Sequence, residues 1–198
     1  MYVNPTRKQD VVRLGKDRVS PHFHEFVHAD IQYRSSKLVY WYHHYVLSRC
    51  ISAVPTLKPG DTVLDYGCGT QNLKGYMPEG VSYVGYDFVA ELSDIDDPRG
   101  MKFDAILAIQ MLMCLDRDGI VELMDFFADA TSHLVAFVPA RNLLKDEVMD
   151  RVLGLTNYRD AVVQSKPDEI WDILKTRFSL PDRQNIFWMG DLTSWKKQ

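Results

Sequence analysis

The run Val63-Leu64-Asp65-Tyr66-Gly67-Cys68-Gly69-Thr70 leaves this chain few folds to choose from. A β-prone stretch ends in an acid and passes straight into a turn with two glycines. Such glycines let the backbone bend sharply and meet a ligand with no Cβ in between. A second β-prone run, Tyr83-Val84-Gly85-Tyr86-Asp87, ends in another acid at the spacing of a βαβ unit. A carboxylate in that place is set to accept hydrogen bonds from both hydroxyls of a ribose. A lone GxG says little, but the two acidic strand ends with the GxG between them point together to a parallel, doubly wound sheet.

The rest of the chain keeps that rhythm. Strands are predicted over 62–65, 82–86, 103–109 and 133–138, with a short extra strand around 92–95. Leu38, Tyr42, Tyr45, Val46, Cys50 and Ala53 recur at spacings of three and four and mark one face of a helix that Pro55 stops. Ile120, Leu123, Met124, Phe127 and Ala128 form a second amphipathic stripe, with Asp116 or Asp118 as its N-cap. Pro167-Asp168-Glu169 reads as a third helix start, followed by Ile170, Ile173 and Leu174. Near the end, two β-prone runs flank Gly190-Asp191, which predicts a tight hairpin and an antiparallel strand at one edge of the sheet.

What the turn lacks narrows its ligand. A dinucleotide fingerprint needs a glycine at position 72, where this chain has Asn72, and no G-x-x-x-x-G-K-[ST] run is present to cradle a nucleoside triphosphate. Asp65, just before the glycines, repels a pyrophosphate and suits a cation, either an amino group or a nearby sulfonium. Leu64-Asp65-Tyr66-Gly67-Cys68-Gly69-Thr70 resembles motif I of the class I S-adenosylmethionine (SAM)-dependent methyltransferases, usually LDxGCGxG, with Gln71 in place of the third glycine. The resemblance runs from about Leu57 to Val138. It implies an α/β, Rossmann-like doubly wound sheet of about seven strands in the order 3-2-1-4-5-7-6, the last antiparallel. Residues 1–56 would form an N-terminal arm and helical lid, and 57–198 the SAM-binding domain, together one structural domain.

The same resemblance implies a set of cofactor contacts. Asp65, Gly67, Cys68 and Gly69 would form the turn, Asp87 would bind the ribose and Phe88 would lie beside the adenine. Ser93-Asp94-Ile95-Asp96-Asp97 is similar to the family's third-strand segment, whose acid meets the adenine amino group; Asp96 is the first candidate, with Asp94 and Asp97 competing. Residues 102–115 match the fourth strand and its loop, so Gln110 and Met111 would border the methionine portion. The histidine frequent in that loop is Cys114 here, and the acid before it is Met113. By position, Tyr33 or Arg34 would hold the cofactor's carboxylate. The product would be S-adenosylhomocysteine (SAH).

Methyl transfer from a sulfonium is an in-line displacement, in which alignment of the reactants can supply up to roughly 7–11 kcal/mol. A base adds about 10²–10⁴-fold where the acceptor is a weakly acidic hydroxyl. No metal is implied, and no HExxH or Cys/His cluster at ligand spacing is found. Tyr40-Trp41-Tyr42-His43-His44-Tyr45 spreads its rings around a whole helix, so they cannot all face the body. Tyr42 and Tyr45 lie on the core stripe; Tyr40, Trp41, His43 and His44 fall elsewhere. His43, His44 and Tyr42 are the candidates for proton transfer, although an exposed helical histidine is more often simply solvated. Tyr40, Trp41, Arg141 and Tyr158 are the candidates for contact with the acceptor.

The formal net charge is −4. Residues 1–60 hold nine Lys/Arg against four Asp/Glu, so the N-terminal segment is basic on an acidic body. This fits a solvated basic face or attraction of an anionic partner. No stretch approaches the length of a transmembrane helix, the first residues carry charges where a signal peptide has an apolar core, and the cysteines are three, widely spaced. The expectation is a cytoplasmic enzyme, monomer or homodimer, that methylates O or N of a small molecule, with neither nucleic acid nor membrane as partner. Two readings compete with it: an RNA or protein methyltransferase, and a non-catalytic cofactor-binding partner protein.

Overall fold

The structure is a computed structural model and describes residues 18–19, 37–54, 57–139, 163–186 and 190–198. Six strands form one sheet: β1 (Thr62–Tyr66), β2 (Ser82–Tyr86), β3 (Ala105–Ile109), β4 (His133–Pro139), β5 (Phe178–Ile186) and β6 (Gly190–Lys197). Their spatial order is β2-β1-β3-β4-β6-β5. The pairs β2–β1, β1–β3 and β3–β4 are parallel, and β6 runs antiparallel to both β4 and β5. This is the expected order 3-2-1-4-5-7-6 with its outermost member missing among the described residues. Around residues 92–95 the chain forms a 3-10 turn, Ala90–Leu92, and an irregular segment instead of a strand.

Strict alternation sends the two faces of the sheet into different cores. Leu64, Tyr66, Ile106, Ala108, Leu134, Ala136 and Val138 face α2 (Arg117–Ala130) and α3 (Pro167–Leu174). Val63, Ala105, Leu107, Val135 and Phe137 face α1 (Lys37–Ser52) through its Val46, Leu47 and Cys50. Strands β3 and β4 are buried on both sides, which is why they read as near-continuous apolar runs. Helix α2 follows its sequence signals closely. The Asp116 carboxylate accepts from the Gly119 N–H at 2.7 Å, and Ile120, Leu123, Met124, Phe127 and Ala128 are all buried. Pro167 sits in the first turn of α3, where a missing N–H costs nothing.

Four expectations need correction. The hairpin does not turn at Gly190-Asp191: both residues belong to β6, where Gly190 pairs with Pro139 and Ile186. A Cβ on Gly190 would stand 2.5 Å from the Phe137 ring, so this glycine serves packing, not turning. The antiparallel strand is also not at the edge, because β5 flanks it. Strand β5 begins at Phe178, well before Asn185, where the first of the two β-prone runs starts; its polar sequence and Pro181 hide it, and Pro181 falls inside a register shift between Ser179 and Asp182. Finally, His43 is 8% exposed and packs inward, although the predicted core stripe leaves it out. Among the described residues, no helix is long and apolar enough to cross a membrane.

Candidate functional site

The glycine turn hooks over the end of β2. The N–H groups of Gly67 and Cys68 both donate to the Tyr86 carbonyl, at 2.8 and 3.1 Å. Gly67 and Gly69 both have left-handed backbone, with φ +79 and +50. Their surroundings differ. A Cβ on Gly67 would lie 2.7 Å from Met111 Cβ, whereas nothing stands within 4 Å of a Cβ on Gly69. Gly67 thus lets Met111 close over the turn, and Gly69 keeps one side of it open. After the turn the chain forms only a 3-10 segment, Asn72–Tyr76, before β2.

Three carboxylates gather at this turn. Asp87, 2% exposed at the end of β2, accepts from Gly69 N–H on Oδ2 and from Val89 N–H on Oδ1, both at 2.9 Å. Its own N–H donates to Ser93 Oγ at 3.0 Å. Asp65 is also buried and accepts from the Tyr83 hydroxyl at 2.8 Å. Asp94 accepts from Gly85 N–H at 2.9 Å and from the Gln71 side-chain amide at 3.0 Å. Burial pushes the Cys68 thiol well above its ordinary range, and Asp65, Asp87 and Asp94 push it the same way. Burial, with the Asp65 carboxylate, likewise raises Tyr83. A thiol so protected is no nucleophile. Carboxylates so gathered favour a ligand with a cationic group over one with a phosphate.

The loop after β3 forms the opposite wall. Gln110 has left-handed backbone at φ +60, and its N–H donates to the Phe137 carbonyl at 2.9 Å. Met111 and Cys114 are buried. Distant segments clamp this loop from both sides. Val19 makes an antiparallel bridge to Leu115, and Asp116 N–H donates to the Arg18 carbonyl at 3.1 Å. Gln164 donates through its backbone N–H to Met113 O at 2.9 Å and through its side-chain amide to Cys114 O at 2.8 Å. Ser165 Oγ donates to Leu115 O at 2.8 Å.

The other predicted residues divide by environment. The Phe88 ring is buried edge-on against Tyr66 and Tyr86, with centroids 5.9 and 6.3 Å apart. Asp96 is exposed, and Asp97 is held by Arg99 through both carboxylate oxygens. On α1, Tyr40 and Trp41 are 56% and 58% exposed, and Tyr42 packs half-buried on the α1 side of the sheet. The His44 Nδ1 bonds the Tyr76 hydroxyl, and the Tyr40 ring lies 3.9 Å from the His44 ring. Tyr33, Arg34, Arg141 and Tyr158 lie outside the described residues. Sequence reasoning missed Tyr83, Ser93, Gln164 and Ser165, whose partners come from distant or irregular segments with no local pattern. Among the described residues, no group of three or more His, Cys, Asp or Glu is placed to hold a metal ion.

No protein-family model matches this chain, and no curated protein matches its sequence. Solved structures match its fold. The PH0226 protein from Pyrococcus horikoshii OT3 aligns with a TM-score of 0.63 at 11% identity, over 83% of this chain and 94% of that one. The mitomycin 7-O-methyltransferase MmcR aligns at 0.56 and 14%, over 77% of this chain and 53% of its own, so the present chain spans about half its length. The magnesium protoporphyrin IX methyltransferase ChlM from Synechocystis PCC 6803, solved with bound SAM, aligns at 0.52 and 16%, over 78% and 77%. The chain therefore has the Rossmann-like fold that these two methyltransferases share.

Proposed function

We propose that this protein is a SAM-dependent methyltransferase that acts on an oxygen or nitrogen of a small-molecule acceptor in the cytoplasm. One observation carries the reading. The open-sided Gly69 and the acid closing β2 are joined by a 2.9 Å bond, so the turn and the carboxylate form one cradle. Its charge and its open side suit an adenosyl amino acid. The Gly69 side has room for a ligand, and the surrounding acids suit an ammonium and a sulfonium. The fold of MmcR and ChlM supports the same conclusion.

In this reading Asp87 takes the ribose hydroxyls and Asp65 the amino group. The Gly67-Cys68-Gly69 turn backs the ligand, and Gln110 and Met111 border its methionine part. Phe88 and Asp96 or Asp94 belong to the adenine side, and Tyr33 or Arg34 to the carboxylate. Bound SAM supplies a methyl group activated by its sulfonium. The chain's own task is to align the acceptor and exclude water, a task we assign to Tyr40, Trp41, Arg141 and Tyr158. His43, His44 and Tyr42 are the candidates for taking the acceptor's proton. Tyr76, bonded to His44, would orient that imidazole.

Calorimetry with SAH tests the reading. The wild-type protein should bind SAH in the micromolar range or tighter, and Asp87→Ala should weaken binding by at least about tenfold, the loss expected from charged hydrogen bonds. Tight binding of a pyridine dinucleotide or nucleoside triphosphate, with none of SAH, would overturn it. The irregular segment in place of the outermost strand lends some support to a second reading, a non-catalytic cofactor-binding protein. That protein would bind SAH yet transfer no labelled methyl to any acceptor in a broad extract.

A further inference from the structure

Gln71 occupies the place where the methyltransferase pattern has its third glycine, and its backbone keeps the left-handed conformation a glycine would adopt, with φ +58. For a residue with a Cβ this backbone is strained, and something else must offset the strain. The side chain does so. Its amide Nε2 donates to Leu92 O at 2.9 Å and to Asp94 Oδ1 at 3.0 Å. Asp94 in turn grips the edge of the sheet, accepting from Gly85 N–H at 2.9 Å and donating its own N–H to Gly85 O at 2.8 Å. Gly85 suits this grip because a Cβ there would stand 3.0 Å from Cys68 Sγ, 3.2 Å from Gln71 Nε2 and 3.3 Å from Asp94 Oδ2. Between Leu92 and Asp94, Ser93 Oγ accepts from the Asp87 N–H. A closed circuit results: Gly69 to Asp87, Asp87 to Ser93, the Ser93 segment to Gln71, and Gln71 back along the chain to Gly69.

We infer that Gln71 is a positioning residue for the adenosine half of the ligand. It sets the distance between the glycine turn and the segment after β2, standing in for the strand that is missing there. The inference rests on the reading of this site as a cradle for an adenosyl amino acid. Gln71 does not itself touch the reacting atoms. It holds Asp94 and Ser93, and through Ser93 the backbone of Asp87.

Gln71→Gly is the decisive variant, because it removes the clamp and relieves the backbone strain together. Thermal melting, titration with SAH and with 5′-methylthioadenosine (the adenosyl part without the amino acid), and amide exchange at Asp94 are measured in wild type and variant. The variant should melt at or above the wild-type temperature and exchange the Asp94 amide faster. It should lose affinity for both ligands by one common factor of about five to ten, the scale of one hydrogen bond. Asp94→Ala should give a similar loss, and the double variant no more than either alone. Wild-type affinity for both ligands in Gln71→Gly would overturn the inference while leaving the cradle intact, and so would a loss confined to SAH. A wild-type protein that binds neither ligand overturns the cradle itself, and the inference with it.

Discussion

The connection from β1 to β2 and the connection from β3 to β4 serve the same topological purpose with different materials. The second contains α2, capped by Asp116 and pressed onto the sheet by a full apolar stripe. The first contains a single 3-10 segment in which Leu73 alone is buried, and side chains that bond across it hold it in place: Asp87 to Gly69, Gln71 to Leu92 and Asp94. Apolar burial is insensitive to direction and strong in sum, so it makes scaffold. Directed polar bonds contribute little net stability each, yet they fix where individual backbone groups point. The site proposed above lies where the molecule has least helix, and exposed turn backbone and oriented acids are what a small polar ligand can grip.

Truncating the scaffold should therefore do the most damage. Phe127 is fully buried, with its ring 5.2 Å from that of Tyr66. Phe127→Ala should cost about 3–5 kcal/mol in denaturant unfolding, with SAH affinity preserved in the fraction that folds. A loss smaller than that from any single polar change at the glycine turn would break the distinction between the two connections.

The two glycines of the turn sharpen it. Gly67→Ala meets both the left-handed backbone and the Met111 side chain, and should cost about 2–4 kcal/mol. Gly69→Ala meets the backbone penalty alone, roughly 1–2 kcal/mol, but puts a methyl group into the open side of the cradle. Unfolding midpoints should rank Gly67→Ala below Gly69→Ala, while calorimetry should show SAH binding largely lost in Gly69→Ala. Equal stability losses with intact SAH binding would mean that the open side holds no ligand.

The smallest effect belongs to the far rim of the site. The Arg99 guanidinium, donating to both oxygens of Asp97, holds that carboxyl below its ordinary value of 3.8. A depressed folded-state value means the pair's contribution is complete above about pH 4 and is lost as the pH falls through the folded value. Both groups are partly exposed, so the contribution should stay below about 1 kcal/mol. Asp97→Asn should lower stability by that amount at neutral pH and by less at pH 2, as followed by urea melts. An unchanged gap at the two pH values would show that the pair contributes nothing through charge.

The helical scaffold was the most legible region. The strands around 62–66, 82–86 and 133–139, the α2 stripe and its Asp116 cap can be read directly, because alternation and helical periodicity record the burial of neighbours in the chain. Asp65, one residue before the end of β1, and Asp87, one residue after β2, are legible for the same reason: where a strand stops is a local property. The aromatic run of α1 is not, since six consecutive rings surround the helix and only contact with the sheet decides that His43 turns inward.

By itself, then, the sequence determined β1, β2, β4 and α2 and, through a family resemblance, the order in which the strands pair; it also marked the glycine turn proposed above as the place of a ligand. Tertiary structure alone decided that Tyr83 donates to Asp65, that Gln71 donates to Asp94 and Asp94 accepts from Gly85, and that Gln164 and Ser165 clamp the loop after β3. The physical reason is the range of each signal. Hydrophobic periodicity is written into adjacent residues, but a hydrogen bond between distant side chains exists only once strand register and loop path have brought donor and acceptor within reach.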